Sequence, residues 1–165
     1  MQSWEKYAGL LILVVTAGCL VLIEASGQDF LKQLESLGVS KYIEAMKTQE
    51  DLQDQLSKSS GTATIFVPND SAMNGWKDFG SFMEQKRKMR RFLKHSIVLG
   101  DLTIEQCVEK ERHITADGTE VTIKKEGSDI VITAGIGKAK IIKSNVKFSN
   151  GYINVIDSVI LPKDI

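Results

Sequence analysis

The chain has 165 residues, which suits one domain with a short additional segment. Its 21 lysines and arginines balance its 21 aspartates and glutamates, so the formal net charge at pH 7 is zero. A balanced charge excludes a protein that is drawn as a whole to nucleic acid. With two histidines and two cysteines, the composition also offers little for a metal site or a disulfide framework.

The N-terminal segment has the layout of a secretory signal peptide. Residues 8–23 are uncharged and mostly aliphatic, Lys6 precedes them, and the small residues 25–27 suit cleavage before Gln28. As a helix, this apolar run would span about 24 Å at ~1.5 Å per residue, less than the ~30 Å hydrocarbon core of a membrane. We therefore predict a signal peptide over residues 1–27, one mature domain over residues 28–165 and a secreted protein. The alternative is an uncleaved membrane anchor through residues 8–23.

Cysteine usage fits this division of the chain. Cys19 lies in the predicted signal peptide, so Cys107 is the one cysteine of the mature domain. A domain of this length can bury a core without disulfides. We expect Cys107 to be a buried apolar thiol, the alternative being an odd free thiol.

The first half of the domain reads as helical. Apolar residues recur at helical spacing in stripes that end at Gly38 and at the turn signal of residues 57–61. The stripes are Phe30, Leu31, Leu34 and Leu37; Tyr42, Ile43 and Met46; and Leu52 and Leu56. Residues 62–67 predict a strand that Pro68 ends, and Asn69 or Asp70 is suited to cap a following helix. A further helix is predicted over residues 81–94.

From residue 97 on, the pattern predicts short strands separated by glycine-containing turns. The predicted strands cover residues 97–99, 113–115, 120–124, 129–133, 140–143, 146–148 and 152–161. Helices first and strands later, with one early strand, predict an α+β fold with a largely antiparallel sheet rather than a parallel βαβ fold.

Two apolar, β-branched segments are each closed by one of the two prolines in the chain. The first is TIFVPNDSAM over residues 64–73, and the second is NGYINVIDSVILP over residues 150–162. Each proline marks a strand end, because it has no N–H to donate to a ladder. No recognisable catalytic motif lies between the two segments, which favours a binding scaffold over an enzyme.

These segments resemble the two signature motifs of the fasciclin-like (FAS1) domain in order and spacing, and the resemblance covers residues 28–162. The motif positions are Thr64, Phe66, Pro68, Asp70, Asn150, Gly151, Asp157 and Pro162. The resemblance implies N-terminal helices packed on a mostly antiparallel β-sandwich wedge. It also implies a secreted or surface-attached adhesion module of the extracellular matrix, which binds integrins or other matrix and cell-surface proteins.

The chain departs from the adhesive pattern of that family between the motifs. Many adhesive members carry a Tyr-His pair there, and His95 and Ser96 occupy the two positions in this chain. Leu99 replaces the usual proline nearby, and Asn154 stands where the second motif often has histidine. The sequence contains no Arg-Gly-Asp. The altered pair argues against an integrin contact of the Tyr-His kind.

The sharpest local feature outside the motifs is a basic run between Glu84 and His95. It consists of Lys86, Arg87, Lys88, Arg90, Arg91 and Lys94. On a helix these like charges stack and repel, so a sulfated glycosaminoglycan or an anionic lipid surface would relieve the repulsion. The alternative is a solvated helix face whose other side meets the core. The predicted contact surface is Lys86, Arg87, Arg90, Arg91, Lys94, His95 and Ser96.

Two polar motif residues have competing interpretations. Asn69 begins the N-glycosylation sequon Asn69-Asp70-Ser71, yet it lies at a strand-to-helix junction where it is also suited to cap. Asp157 lies in an apolar strand, and we interpret it as an acceptor of backbone hydrogen bonds rather than as a functional acid.

Enzymatic signatures are missing from the sequence. His95 and His113 have no metal-ligand partner at useful spacing, and there is no G-x-S-x-G elbow. Residues 135–139 lack the first glycine and the Ser/Thr of a phosphate loop. We therefore predict a binding protein with no catalytic site, metal or cofactor. The alternative to adhesion is a soluble extracellular carrier of a small lipid or glycan.

Overall fold

The structure, a computed structural model, describes residues 11–16, 19–24, 28–57 and 62–165. The domain begins with three short helices, α1 (Gln28–Glu35), α2 (Ser40–Lys47) and α3 (Glu50–Ser57). They confirm the three apolar stripes, and Gly38 ends the first of them with a left-handed φ of 68°. Most of the turn signal at residues 57–61 lies outside the described residues.

The apolar N-terminal run forms two strands where it is described, β1 (Leu11–Thr16) and β2 (Cys19–Glu24). They pair antiparallel, with Leu11 opposite Glu24 and Thr16 opposite Cys19. This differs from the helix assumed in estimating the span, and the β-branched residues of the run suit a strand. No helix of the described residues is long and apolar enough to cross a membrane. The cleavage triplet lies outside those residues, so cleavage stays a prediction.

The rest of the domain is a seven-stranded sheet with four more helices. The strands are β3 (Ala63–Pro68), β4 (Ile97–Leu99), β5 (Arg112–Ile114), β6 (Glu120–Glu126), β7 (Asp129–Ala134), β8 (Gly137–Phe148) and β9 (Gly151–Ile156). The helices are α4 (Asp70–Asn74), α5 (Phe79–Glu84), α6 (Lys86–His95) and α7 (Ile104–Lys110). The predicted α+β class is therefore confirmed.

The sheet has the strand order β4-β3-β9-β8-β7-β6-β5. Every neighbouring pair is antiparallel except β3 and β9, which are the strands of the two motifs and lie side by side in parallel. The sheet curls until its two outer strands meet, because Val98 and Thr115 form an antiparallel bridge and the Ala116 N–H donates to the Ile97 carbonyl at 2.8 Å. We call this junction of β4 and β5 the seam.

Two apolar clusters lie on the two sides of β3 and β9. The helix-side cluster joins α1–α6 to one face, where Ile65 and Val67 point, and the strand-side cluster fills the curled sheet, where Phe66 points. All six residues of β3 are buried. This explains why the first motif reads as a continuous apolar run rather than as an alternating one.

Four elements differ from the predicted ones. The single helix predicted over residues 81–94 is two helices, α5 and α6, which are separated at Gln85. Helix α7 was not predicted, although Thr103 and Gln106 form the capping box that its sequence encodes. The two strands predicted over residues 140–148 are one strand, β8, with register shifts between Ile141 and Val146. The last strand ends at Ile156 rather than at Leu161, because the Asp157 carboxylate accepts the Lys140 N–H at 2.8 Å in place of a further ladder bond.

Gly151 is required by the close approach of β3 to β9. It lies opposite Ala63, and a Cβ built on Gly151 would lie 1.7 Å from the Ala63 carbonyl oxygen. The obstacle is backbone rather than a flexible side chain, so only separation of the two motif strands would make room for it. The glycine of the second motif is therefore a packing requirement.

We expect Gly151→Ala to lower the free energy of unfolding by about 3 kcal/mol or more, because the two motif strands must separate. The matched control is Gly80→Ala in α5, where an added Cβ meets nothing within 4 Å. The control should leave stability unchanged or raise it by up to about 1 kcal/mol, since alanine favours a helix. Urea denaturation measures both, and equal stabilities of the two variants would contradict this account.

Candidate functional site

Helix α6 is anchored in the core by one side and presents its basic residues on the other. Met89, Phe92, Leu93 and His95 are buried. The Phe92 ring lies 4.8 Å from the Trp76 ring and 6.5 Å from the Tyr42 ring, centroid to centroid. This packing fixes how the helix is turned. The side chains on the other side form what we call the basic face, in which Lys86 and Arg87 are exposed and Arg90, Arg91 and Lys94 are half-buried.

Two of these side chains are paired with acids from distant parts of the chain. Arg90 forms an ion pair with Asp51 of α3, and its hydrogen bond holds the pKa of that carboxyl below its ordinary value. The Arg91 guanidinium donates to the Asp164 carbonyl at 3.1 Å and lies 3.9 Å from the carboxylate of the same residue. The repulsion inferred from the sequence is therefore partly relieved within the molecule.

The other basic side chains of α6 have no such partner. No carboxylate in the described part of the chain lies within 4.0 Å of the charged groups of Lys86, Arg87 or Lys94. Lys88 lies outside the basic face, and its ammonium is 5.7 Å from the centroid of the Phe82 ring. The unpaired charge of the helix is thus available to solvent.

The sequence prediction placed His95 and Ser96 on a contact surface, but both are buried and neither is exposed to a partner in the folded domain. Helix α6 leads directly into β4, so His95 at the end of the helix and Ser96 after it both lie in the interior of the domain. The Ser96 hydroxyl donates to the Leu93 carbonyl at 2.6 Å and accepts from the Tyr42 hydroxyl at 2.8 Å. Burial raises the pKa of Tyr42. Ser96 therefore joins α6 to α2.

His95 belongs to a buried polar cluster with Thr115, Asp117 and Thr119. Its Nδ1 lies 3.1 Å from Oδ2 of Asp117 and 2.8 Å from the Thr119 hydroxyl oxygen. Both threonine hydroxyls donate to Oδ1 of Asp117. Nδ1 thus faces acceptors, and we infer that it carries the ring proton. The cluster lies at the seam, since His95 precedes β4 and Thr115 follows β5.

At neutral pH, His95 is neutral and Asp117 is charged. Burial lowers the pKa of His95, and this outweighs the opposing effect of the Asp117 charge. Burial works against ionisation of Asp117, but the hydroxyls of Thr115 and Thr119 hold its pKa below the ordinary value. Arg91 adds a positive charge 4.0 Å from Asp117.

A buried His-Asp pair is also part of many catalytic triads, and the surroundings of this pair are different. Nε2 of His95 is buried and has no hydrogen-bond partner among the described residues, so no hydroxyl or thiol there is positioned for activation. The same residues contain no group of three or more His, Cys, Asp or Glu side chains suited to a metal. The arrangement supports a structural role at the seam.

The first motif stabilises a strand-to-helix junction. Asn69 caps α4, because its side-chain oxygen accepts the Ala72 N–H at 2.8 Å, which confirms the capping prediction. Asp70 accepts the Lys41 N–H at 2.9 Å and the Ser40 hydroxyl at 2.7 Å, which ties the start of α2 to the motif. Glycosylation of Asn69 stays a prediction.

The other motif residues also make structural contacts. The Thr64 hydroxyl donates to the Gly100 carbonyl at 2.8 Å, and the Asn150 amide donates to the Leu56 carbonyl at 2.6 Å. Asp157 accepts a backbone N–H, as predicted. Phe66 is in the core, Pro68 is the last residue of β3, and Pro162 follows the bridge of Leu161 to Gly135. Both motifs therefore serve the fold.

Two further residues complete this description. Asn154 is buried at the histidine position of the second motif, and its side chain accepts the Asn145 N–H at 3.0 Å. Cys107 is a buried thiol, as predicted, and burial raises its pKa to about 11. The thiol is therefore almost entirely protonated at neutral pH and is a poor nucleophile.

Sequence reasoning missed the acids that surround α6. Asp51 and Asp164 are remote in sequence, and no local pattern links them to the basic run. Asp117 precedes Gly118 in one of the predicted glycine-containing turns, and a turn pattern does not indicate a buried carboxylate. The sequence Thr115-Ala116-Asp117-Gly118-Thr119 did carry a signal, since two hydroxyls placed symmetrically about a carboxylate can both donate to it.

We expect Asn69→Ala to lower the free energy of unfolding by about 1 kcal/mol, because the first turn of α4 loses its acceptor. Asn69→Asp is the matched control, since it keeps an oxygen at the same position and should stay within about 0.5 kcal/mol of the parent protein. Thermal and urea denaturation report both changes. Equal losses in the two variants would show that the cap contributes nothing.

The polar cluster also predicts how stability depends on pH. The pKa of His95 is below its ordinary value of 6.5 in the folded protein, so the unfolded chain binds the proton more readily. The free energy of unfolding should therefore fall as pH drops below 6.5, by at most about 1.4 kcal/mol per pH unit from this one group. Replacing His95 by asparagine keeps an N–H donor toward Asp117 and removes the titration.

The measurement is urea denaturation of the parent protein and His95→Asn between pH 7.5 and 5.5. The other histidine, His113, is present in both proteins, so the comparison isolates His95. We expect a shallower pH dependence in the variant over this range. The same slope in both proteins would mean that His95 does not titrate differently on folding.

Comparisons with known proteins agree with this architecture. Residues 37–162 match the family described as the Fasciclin domain. Fasciclin-1 of Drosophila melanogaster is 26% identical over 143 residues, which are 81% of this chain and 22% of that protein. Protein sll1483 of Synechocystis sp. is 29% identical over 167 residues, covering 98% of this chain and 84% of that protein.

A solved structure shows the same fold. It is a FAS1 domain pair from the insect cell adhesion molecule Fasciclin I, and it matches 76% of this chain and 46% of that chain with a TM-score of 0.64 and 23% identity. The chain spans about a fifth of the length of Fasciclin-1 and under half of the domain pair. Its two motif strands, its helices and its matched residues together establish that the chain belongs to the fasciclin-domain family.

Proposed function

We propose that this protein is a secreted, extracellular binding module of the adhesion type and that it contacts its partner through the basic face of α6. Membership of the fasciclin-domain family supports the general class. One matched structure comes from a protein described as a cell adhesion molecule, which makes adhesion the natural function to test. Secretion rests on the apolar N-terminal segment and its small residues.

The observation that carries the choice of surface is the exposure of unpaired charge on a rigid element. One side of α6 is fixed by Met89, Phe92 and Leu93 in the helix-side cluster. Its other side carries Lys86, Arg87 and Lys94 without a carboxylate partner in the described chain. A surface on a rigid element loses little conformational entropy on binding.

The burial of His95 and Ser96 narrows the class of partner that fits this chain. These residues occupy the positions of the Tyr-His pair, and neither can reach a partner while the domain stays folded. Recognition of an integrin through that pair therefore does not fit this chain. A partner with acidic or sulfated groups fits the basic face better, since complementary charge speeds association and gives specificity.

The test is attachment of cells to the full-length protein immobilised on a surface. We expect attachment well above that to heat-denatured protein, and we expect Arg87→Gln with Lys94→Gln to reduce it several-fold. Lys125→Gln with Lys143→Gln removes the same charge from exposed strand residues and should leave attachment unchanged. Attachment that is equal for the folded and denatured proteins would end the adhesion proposal.

A separate measurement tests secretion. Expression in a secreting eukaryotic cell, followed by N-terminal sequencing of the protein in the medium, should give a chain that starts at Gln28. Recovery of the protein only in the membrane fraction, with its N-terminus intact, would instead indicate an anchor through residues 8–23.

A further inference from the structure

The basic face has a central line of residues along the helix, which we call the crest, and a flank on each side of that line. Arg87 and Lys94 are seven residues apart, almost two full turns, so they lie on one line along α6, about 10 Å from end to end. Arg90 and Arg91 lie between them along the axis, one on each side of that line. Two of the three unpaired residues, Arg87 and Lys94, are therefore on the crest, and the paired arginines are on the flanks. The third unpaired residue, Lys86, lies on the same side as Arg90.

Carboxylates border the basic face on both sides. On the side of Arg90 lies Asp51 of α3, whose side chain is 61% exposed, and on the side of Arg91 lies Asp164, whose side chain is 86% exposed. An anionic ligand that crossed the helix would meet one of these acids at each side. A ligand that ran along the helix axis would meet only the basic residues.

The same acids also orient the flanking arginines. Arg90 is held by Asp51, and Arg91 is held by the carbonyl and carboxylate of Asp164. A guanidinium that already has a fixed position loses less side-chain entropy when an anion binds, and it has several N–H donors to share between partners. The flanks thus add oriented donors to the crest.

We propose that the basic face binds a linear sulfated polysaccharide that runs along the axis of α6, an inference that rests on the proposed extracellular function. The ligand supplies sulfate groups at successive turns of the helix, where Arg87, Arg90, Arg91 and Lys94 follow one another. A broad anionic membrane surface fits less well, because the neighbouring acids Asp51 and Asp164 would face it too.

Exposed lysines elsewhere on the sheet include both paired and unpaired charges. The exposed lysines Lys138 and Lys140 of β8 are paired with Glu126 and Asp129, at 2.9 Å and 3.0 Å. Lys124 of β6 lies 3.9 Å from Glu111. Lys125 and Lys143 on the same two strands have no carboxylate within 4.0 Å among the described residues, so they are the matched unpaired charges outside α6.

The experiment measures binding of the full-length protein to immobilised heparin over a series of NaCl concentrations. We expect the affinity to fall steeply as salt rises, because the contacts are between exposed charges. Arg87→Gln with Lys94→Gln should weaken binding about tenfold or more at physiological salt, and Lys125→Gln with Lys143→Gln should change it less than about twofold. Equal losses in the two double variants would overturn the assignment to α6.

Two further measurements identify the ligand class. A heparin octasaccharide should compete better than a disaccharide at equal sulfate concentration, because only the longer chain reaches both ends of the crest. Phosphatidylserine vesicles should bind more weakly than heparin. Tighter binding to vesicles than to heparin, or equal competition by the two oligosaccharides, would overturn the proposal.

Heparinase treatment separates a failure of the polysaccharide proposal from a failure of the adhesion proposal. Treating cells with heparinase should abolish the part of cell attachment that depends on Arg87 and Lys94. Attachment that depends on these two residues, survives heparinase and occurs without heparin binding would overturn this inference and leave the adhesion proposal standing.

Discussion

The parallel pairing of β3 with β9 is the interaction on which the rest of the domain depends. Residues 63–68 run beside residues 151–156, so the first and the last strand of the seven-stranded sheet in chain order lie side by side within it. Both clusters are built on this pair, since Ile65 and Ile153 face the helices and Phe66 and Ile156 face the curled sheet. A contact between segments so far apart in sequence is costly in loop-closure entropy, and the dense burial on both faces offsets that cost.

That pairing also explains why the motifs contain their particular polar residues. In a strand pair that is buried on both faces, every polar side chain must find a hydrogen-bond partner. Asn69 caps the helix that leaves β3, and its N–H donates to the Ile156 carbonyl at 3.1 Å. Asn150 immediately precedes β9, and its side-chain amide donates a hydrogen bond to the Leu56 carbonyl. The motifs therefore specify how the chain enters and leaves the centre of the sheet.

The sequence was sufficient to predict the α+β class, the early helices, the strand that Pro68 ends and the cap at Asn69. Each of these depends on local periodicity or local hydrogen bonding. The sequence could not predict that Asp51 and Asp164 flank α6, because those contacts depend on how distant segments pack. It also could not show that His95 is buried, since the exposure of the last helical turn depends on where the chain goes next. The capping box at Thr103 was a sequence signal for helix α7. The apolar pattern of this helix is too short to indicate a helix by its periodicity.

The polar cluster at the seam has a consequence for the behaviour of the protein in mild acid. The seam is narrow, with one bridge between Val98 and Thr115, and the cluster that joins its two sides includes the buried His95. Protonation of His95 would place a positive charge in a buried position, which burial disfavours, and so would weaken the junction. Strands β4 and β5 would then become open edges, next to the exposed side chains of Leu99 and Ile114. Open apolar edges pair with other chains, so we expect this domain to aggregate through β4 and β5 once the pH is low enough to protonate His95.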